Sequence, residues 1–422
     1  MTGRPPSLSR QTEILLAGLR GVRTRVPVGF DALEERARAS MSREAFAYIA
    51  GGAGSESTMR ANRAAFERWR IVPRMLRDVS TRDTSVELFG RRLPAPFVVS
   101  PIGAIELAHR DADLAVARAA ASLGVPMIFS NQASVPMEQC AQAMGDAPRW
   151  FQLYWSRDDE LVASFVARAE RCGCEAIVLT LDTTLLGWRT RDLELGYLPF
   201  LHGKGIAQYT SDPVFMRKLG EPLPGPAPER GRVNLAALRA ALTMARRVPG
   251  GTLRNLRSGT ALAAVRRFVA TYTRPSLEWK DLATLRAMTK LPIVLKGILH
   301  PDDARGAVDA GMDGVMVSNH GGRQVDGAIA ALDALPGVVE AVAGRMPVLM
   351  DSGIRGGADA FKALALGATA VGIGRSYAYG LAIAGEEGVR EVLGNVMGEL
   401  ELTMGLAGCA SLGEIGGLQR GT

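Results

Sequence analysis

Eight short apolar runs recur along the chain, each ending in glycine, serine, asparagine, glutamine, aspartate, arginine or an aromatic pair. In order they are PFVVSPIG (96–103), VPMIFSNQ (125–132), RWFQLYW (149–155), EAIVLTLD (175–182), LPIVLKG (291–297), DGVMVSNHGG (313–322), MPVLMDSG (346–353) and AVGIGR (370–375). Unbroken apolar runs rich in valine and isoleucine suit strands buried on both faces, since a strand with one wet face alternates. Between most of them lie stretches with helical periodicity: DADLAVARAAASLG, DDELVASFVARAERCG, SLEWKDLATLRAMT, HPDDARGAVDAG and GADAFKALALG. Several open on Asp or Ser as an N-cap and close on Gly. Eight strand–helix units in about 280 residues is the count and spacing of a (β/α)8 barrel, an α/β fold of the TIM type. A doubly wound sheet would carry G-x-G-x-x-G after its first strand, and that fingerprint is missing. GGAG at 51–54 follows the helical-looking AFAYIA and reads as a helix stop.

The regular spacing breaks once, between the fourth and fifth runs. The sequence predicts a long insertion there, at about 183–277, on the barrel face where such enzymes do their chemistry. It contains the Pro/Gly-rich PLPGPAP and two amphipathic stretches, LAALRAALTMARRV and TALAAVRRFVA. Residues 1–95 read as a mostly helical segment packing on a barrel of residues 96–422.

Charge follows the same division. Of the formal net charge of +7, the segment from Arg217 to Arg274 supplies twelve basic residues against two acidic ones. The remainder is slightly acidic, which argues against a nucleic-acid-binding surface. No apolar run reaches the about 18 residues of a membrane span, and arginines interrupt the basic N-terminus before a signal core forms. A cytoplasmic location is the resulting expectation. Four cysteines and four histidines are too few and too scattered for a metal centre, so no metal is expected. His109 and His300 stand at helix starts and read as caps.

In a barrel the residues just past each strand's C-terminal end line one pocket. Three groupings emerge there. DSGIRGG and GIGR, at strands seven and eight, combine close-approach glycine backbone with Arg355 and Arg375, an anion site beside a helix start. Ser130, Gln152, Thr180, Lys296 and Ser318 form a polar belt suited to a flat heterocycle, with the lysine able to stabilise negative charge. The third grouping is His320, Arg323, Asp182 and Arg189. Strands four and six are alternate, so Asp182 can hold the His320 imidazole while the two arginines clamp a carboxylate.

SNHGGRQVDG, LPIVLKGI, DSGIRGGADAFKALALGA and FQLYW together resemble the FMN-dependent α-hydroxy acid oxidising enzymes, a glycolate oxidase-like family, from about residue 30 to 416. GWRTRDL, YLPFLHGKGIAQYTSDPVF and LKGILHPDDARGAVDAG resemble its lactate 2-monooxygenase branch most. The resemblance implies FMN as cofactor, held by Pro101, Ile102, Gly103, Ser130, Gln152, Thr180, Lys296 and Ser318. Its phosphate would be held by Asp351, Ser352, Gly353, Ile354, Arg355, Gly374 and Arg375. It also implies His320 as active-site base paired with Asp182, and Arg189, Arg323, Tyr48 and Tyr154 as substrate-binding residues. The implied reaction is oxidation of a small L-2-hydroxy acid to the 2-keto acid, with molecular oxygen as acceptor, in a homo-oligomer (tetramer or octamer). Gly103 stands where the oxidases generally carry alanine, and in the monooxygenase branch the keto acid is decarboxylated in place. Two related readings stay open: an oxidase that releases hydrogen peroxide, and a quinone-reducing enzyme like mandelate dehydrogenase touching a membrane surface through the basic insertion. The rival of another class is a barrel that only binds flavin or a phosphate ligand. The Asp182/Arg189/His320/Arg323 set argues against it.

Overall fold

All eight apolar runs form parallel strands that close on themselves. The computed structural model describes residues 6–223 and 235–421. The barrel strands are β1 (Phe97–Val99), β2 (Met127–Phe129), β3 (Arg149–Leu153), β4 (Ile177–Thr180), β5 (Ile293–Ile298), β6 (Gly314–Val317), β7 (Val348–Met350) and β8 (Ala370–Ile373). Each pairs with its neighbours in sequence, and β8 closes the ring on β1.

The double burial expected of these strands has a simple geometry. Val98, Ile128, Trp150, Val178, Val294, Met316, Leu349 and Ala370, one from each strand, form a core inside the ring. Their strand neighbours, such as Phe97, Val99, Phe129 and Leu179, face outward into a larger core shared with the helices. Alternation by two therefore sends apolar side chains to both faces, which is why the runs are largely apolar, Gln152 in β3 and Lys296 in β5 being exceptions.

The helices between strands begin and end as their sequences suggest. Asp158 accepts hydrogen bonds from the Glu160 and Leu161 amides and caps Asp159–Arg171. His300 accepts from the Asp302 amide at the head of Pro301–Asp309. The last strand leads into a long helix, Arg375–Ala407, kinked at Ala384 and Gly385.

The lead-in departs from the helical expectation. Helices occupy Pro6–Leu19, Phe30–Ser40, Arg43–Ala50 and Ser57–Glu67, but three short strands follow. Trp69–Ile71 pairs with Leu418–Arg420 and ties the two ends of the chain together. Val86–Leu88 and Arg91–Leu93 form a hairpin whose Leu88 and Leu93 enter the inner core of the barrel. Phe89 at its turn meets the Trp150 ring edge-on at 5.4 Å. Trp150 lies near the start of β3, so the hairpin seals the N-terminal end of the barrel.

The insertion after β4 is helical where it is amphipathic, over Leu235–Arg247 and Thr260–Thr271, with a further helix at Thr252–Ser258. Most of PLPGPAP lies outside the described residues. The root of the insertion is fastened to the barrel. Buried Arg168 on the helix after β3 binds Asp212 at 3.1 Å and Glu138 at 2.8 Å. Gln208 accepts from the Met137 amide, and Tyr209 is boxed by Phe165, Phe215 and Phe268. Among the described residues no helix is long and apolar enough to cross a membrane.

Candidate active site

Past the end of β6 the chain makes a tight turn in which His320, Gly321 and Gly322 all have left-handed backbone, with φ of 57°, 65° and 75°. Glycine accepts this at no cost; a histidine does so only when its surroundings dictate it. They do. The Ser318 hydroxyl accepts from the His320 amide at 3.1 Å, Ser352 accepts from Gly321 at 3.0 Å, and the Asn319 side chain accepts from Gly322 at 3.1 Å. Asn319 is fixed in turn by Asn62, the two amides exchanging hydrogen bonds of 2.9 and 2.8 Å. A side chain at Gly322 would lie 2.7 Å from Met59, so the turn also needs glycine for space.

The strained turn sets His320 Nδ1 2.8 Å from Asp182 Oδ1, just past β4. The Thr183 hydroxyl donates to the same carboxylate oxygen at 3.0 Å. Burial alone would raise the Asp182 carboxyl, but His320, Lys296 and the hydrogen bonds from His320 and Thr183 outweigh it and hold it at about 2. Burial pushes His320 below its ordinary 6.5, against the pull of Asp182. At neutral pH the pair is thus a neutral imidazole donating Nδ1–H to a carboxylate. Its Nε2 lone pair is free to take a proton.

Beside it sit two arginines, neither in ion-pair contact with a carboxylate among the described residues, though the Asp192 carboxylate is near enough to interact with both. Arg323 Nη1 donates to the carbonyls of Tyr48 (2.5 Å) and Gly51 (2.8 Å), and its guanidinium lies over the Tyr48 ring at 5.0 Å. Arg189 lies over the same ring at 5.9 Å. Burial, and then repulsion from Arg189, pushes Arg323 down to about 9, so it keeps its charge at neutral pH. Two adjacent, largely buried cations with no carboxylate in ion-pair contact, and Asp192 farther off, make a site that favours an anion.

His320, Arg323, Arg189, Tyr48 and Tyr154 all line one cavity, which is open to solvent at its mouth. The lining also includes a cationic, glycine-rich set, Gly353, Arg355, Gly374 and Arg375, together with Lys296. Gly372 is required there, because a side chain would come within 2.3 Å of the Ser100 hydroxyl. A cationic, glycine-rich set sharing one cavity with hydrogen-bonding groups fits a flat heterocycle bearing a phosphate.

The model of one protein family, FMN-dependent dehydrogenase, matches residues 37–419. The chain belongs to this family. FMN is its cofactor, and solved structures of mandelate oxidase share its barrel fold. It is 43% identical to the L-lactate oxidase of Lysinibacillus sphaericus over 92% of this chain and 90% of that protein. It is 42% identical to the 4-hydroxymandelate oxidase of Amycolatopsis orientalis over 90% of this chain and 94% of that one. The human 2-hydroxyacid oxidase 1 is 39% identical over 90% and 92%. Among solved structures, mandelate oxidase with (S)-4-hydroxymandelic acid superposes with a TM-score of 0.77 at 38% identity, over 94% of this chain and all of that one.

Within this family's cavity the residues singled out in the sequence divide into two sets. Pro101, Ile102, Gly103, Lys296, Asp351, Ser352, Gly353, Ile354, Arg355, Gly374 and Arg375 line it, with the five substrate-end residues. Ser130, Gln152, Thr180, Ser318 and Asp182 do not. The Ser130 hydroxyl donates to Gln152, Gln152 donates to Thr180 at 3.0 Å, and Lys296 donates to Ser318 at 2.8 Å. The belt thus consists of two bonded groups, Ser130–Gln152–Thr180 and Lys296–Ser318, and Lys296, 3.3 Å from Asp351, is its member on the cavity.

Arg375, the arginine of GIGR, lines the cavity and is also bonded to backbone. Its guanidinium donates to the carbonyls of Ile49, Gly321 and Gly51 and so fastens the lead-in to the His320 turn. Arg355 stacks on Phe30 at 4.1 Å. Sequence reasoning missed the lead-in's own contribution: Phe30, Glu34, Met59, Asn62 and Arg63 line the cavity, as do Phe200 and Tyr272 from the insertion. Arg63 donates to the Gly353 carbonyl and to Asp359, beside the glycine-rich loop.

Proposed function

We propose that this FMN-dependent dehydrogenase oxidises a small L-2-hydroxy acid to its 2-keto acid, with molecular oxygen as the acceptor. One observation carries the reading: a largely buried neutral imidazole, backed by a carboxylate, stands beside two adjacent guanidiniums that no carboxylate of the described residues meets in an ion pair, Asp192 lying farther off. A hydroxyl and a carboxylate on adjacent carbons satisfy both needs at once.

In this reading Arg189 and Arg323 bind the substrate carboxylate, and Tyr48 and Tyr154 add hydrogen bonds from the cavity wall. That anchoring sets the hydroxyl against His320 Nε2, which takes its proton. Asp182 fixes the tautomer and stabilises the imidazolium that forms. Bound FMN supplies the two-electron acceptor for the α-hydrogen, held by Pro101–Gly103, the belt with Lys296, and residues 351–355 with Gly374 and Arg375. The buried Lys296 cation and the glycine-rich loop stabilise negative charge at the cofactor end.

The finer part of the proposal is that the keto acid is decarboxylated before it leaves, as in lactate 2-monooxygenase. It is supported by Gly103, which leaves the cavity wall without a side chain beside Gln132. The relatives named as oxidases support the simpler outcome, release of hydrogen peroxide. Aerobic turnover of lactate, glycolate and mandelate, measuring keto acid, peroxide and carbon dioxide, decides between them. Carbon dioxide matching oxygen consumed supports decarboxylation; stoichiometric free peroxide excludes it. Slow oxygen use with rapid reduction of a soluble quinone reassigns the acceptor. Light scattering on the same preparation tests the homo-oligomer that belongs to this reading.

A further inference from the structure

Gln324 follows the clamp arginine in SNHGGRQVDG and has no part in the chemistry so far. Its carboxamide uses its full bonding capacity on one stretch of chain, the segment from Asp182 to Arg189. Its Nε2 donates to the carbonyls of Asp182 at 2.6 Å and Leu185 at 2.8 Å. Its Oε1 accepts from the Gly187 amide at 3.3 Å and from Arg189 Nη2 at 3.4 Å. Two donors and two acceptor positions are all that a primary amide offers.

The same segment carries the carboxylate behind His320 at one end and one arginine of the clamp at the other. Between them it is poorly anchored by packing: Leu185, Leu186 and Trp188 are 68%, 42% and 73% exposed. Leu186 also lines the cavity. Gly187 lies against the partner strand of chain so closely that a side chain there would be 2.3 Å from the Arg323 carbonyl and 2.8 Å from Gln324 Cα. With little apolar burial to fix it, the segment depends on directional bonds for its position.

We propose that Gln324 is a positioning residue for the substrate carboxylate and the base, holding Asp182 through its carbonyl and Arg189 through its guanidinium so that both face the Arg323 and His320 brought by the neighbouring turn. The inference rests on the functional reading above. A glutamine at this place couples the two halves of the site, one after β4 and one after β6, which are far apart in sequence. Gln324 is not among the residues lining the cavity, so it would act through the neighbours it holds.

The test uses holoenzyme of wild type, Gln324→Met and Gln324→Glu. Methionine matches the length of glutamine without its hydrogen bonds. Glutamate keeps an acceptor for Gly187 and Arg189 but loses both donors and sets a charge against the guanidinium. Pyruvate binding is read from perturbation of the flavin spectrum, together with kcat and KM for lactate, bound FMN and melting temperature. Expected is at least about tenfold weaker pyruvate binding and a rise in KM for both variants, with FMN content and melting temperature close to wild type. A role confined to folding would lower FMN content and melting temperature while the remaining holoenzyme bound pyruvate normally; that result, or pyruvate affinity within about twofold of wild type in either soluble variant, overturns the proposal. If wild type itself neither binds pyruvate nor is reduced by any 2-hydroxy acid, the functional reading fails, which is a separate result from failure of the Gln324 role.

Discussion

The two ends of the barrel are built on opposite rules. At the N-terminal end the hairpin drives Leu88 and Leu93 into the inner core, Phe89 covers Trp150, and every side chain of that cluster is apolar. At the C-terminal end a histidine is held in left-handed backbone, Lys296 is buried against Asp351, and two guanidiniums share a cavity wall. The first arrangement lowers the free energy of the fold by removing apolar area from water. The second carries strain and desolvated charge that only a bound anion and cofactor relieve. Stability and chemistry are thus separated along the barrel axis. Substitutions at one end should leave the other nearly untouched.

The largest effect is expected at the chemical end. His320→Gln should lower kcat by about 10⁴-fold, the upper range for removal of a general base, with little change in melting temperature. Stopped-flow flavin reduction beside a thermal melt reads both quantities. Asp182→Asn should cost about 10²–10³-fold in kcat/KM, because the amide cannot stabilise the imidazolium. The pH profile adds a sign. His320 lies below 6.5 in the folded protein, so the acid limb of kcat/KM should fall below pH 6.5. Asp182 raises His320, so its replacement should move that limb lower still; a shift upward would contradict the pairing. For stability, the unfolded chain takes up the His320 proton more readily than the folded one. This contribution therefore weakens folding as pH drops below about 6.5 and is absent above it.

At the sealed end the expectation reverses. Leu88→Ala should destabilise by about 2–4 kcal/mol through a cavity in the inner core, while kcat/KM of the folded enzyme stays within about twofold of wild type. Loss of activity without loss of stability there would break the separation. The smallest effect is expected from Gly103→Ala. The new methyl group would sit 3.0 Å from Gln132 Cβ, so the neighbour must give by a few tenths of an ångström, at about 1 kcal/mol. A melt reads that cost, and the ratio of free peroxide to carbon dioxide from the same variant reads whether Gly103 governs the fate of the keto acid.

Much of the barrel was legible because double burial leaves a strong mark: all eight apolar runs became strands. The residues just past their ends could then be placed together, and His320 and Asp182 do lie in contact. The hairpin at 86–93 was not legible, since three-residue strands show too little alternation to stand out. Nor was the reach of the lead-in. Asn62 and Asn319 meet across 257 residues of sequence, and no local pattern around either names the other. The polar belt shows a further limit. Residue type and strand-end position marked Ser130, Gln152 and Thr180 as site residues. Their mutual hydrogen bonds depend on packing distances that sequence does not carry. Arg375 is similar, since the three carbonyls it binds come from segments that only the folded chain brings together.

The central claim is that His320, backed by Asp182 and flanked by Arg189 and Arg323, removes the hydroxyl proton of a 2-hydroxy acid as FMN is reduced. Anaerobic mixing of the holoenzyme with L-lactate, glycolate or L-mandelate, followed by the visible flavin band, tests it most directly. Rapid bleaching of wild type by at least one of these acids, and bleaching slowed by about 10⁴-fold in His320→Gln, is expected. Persistence of the oxidised band in wild type with every acid, or bleaching of the variant at the wild-type rate, would contradict it.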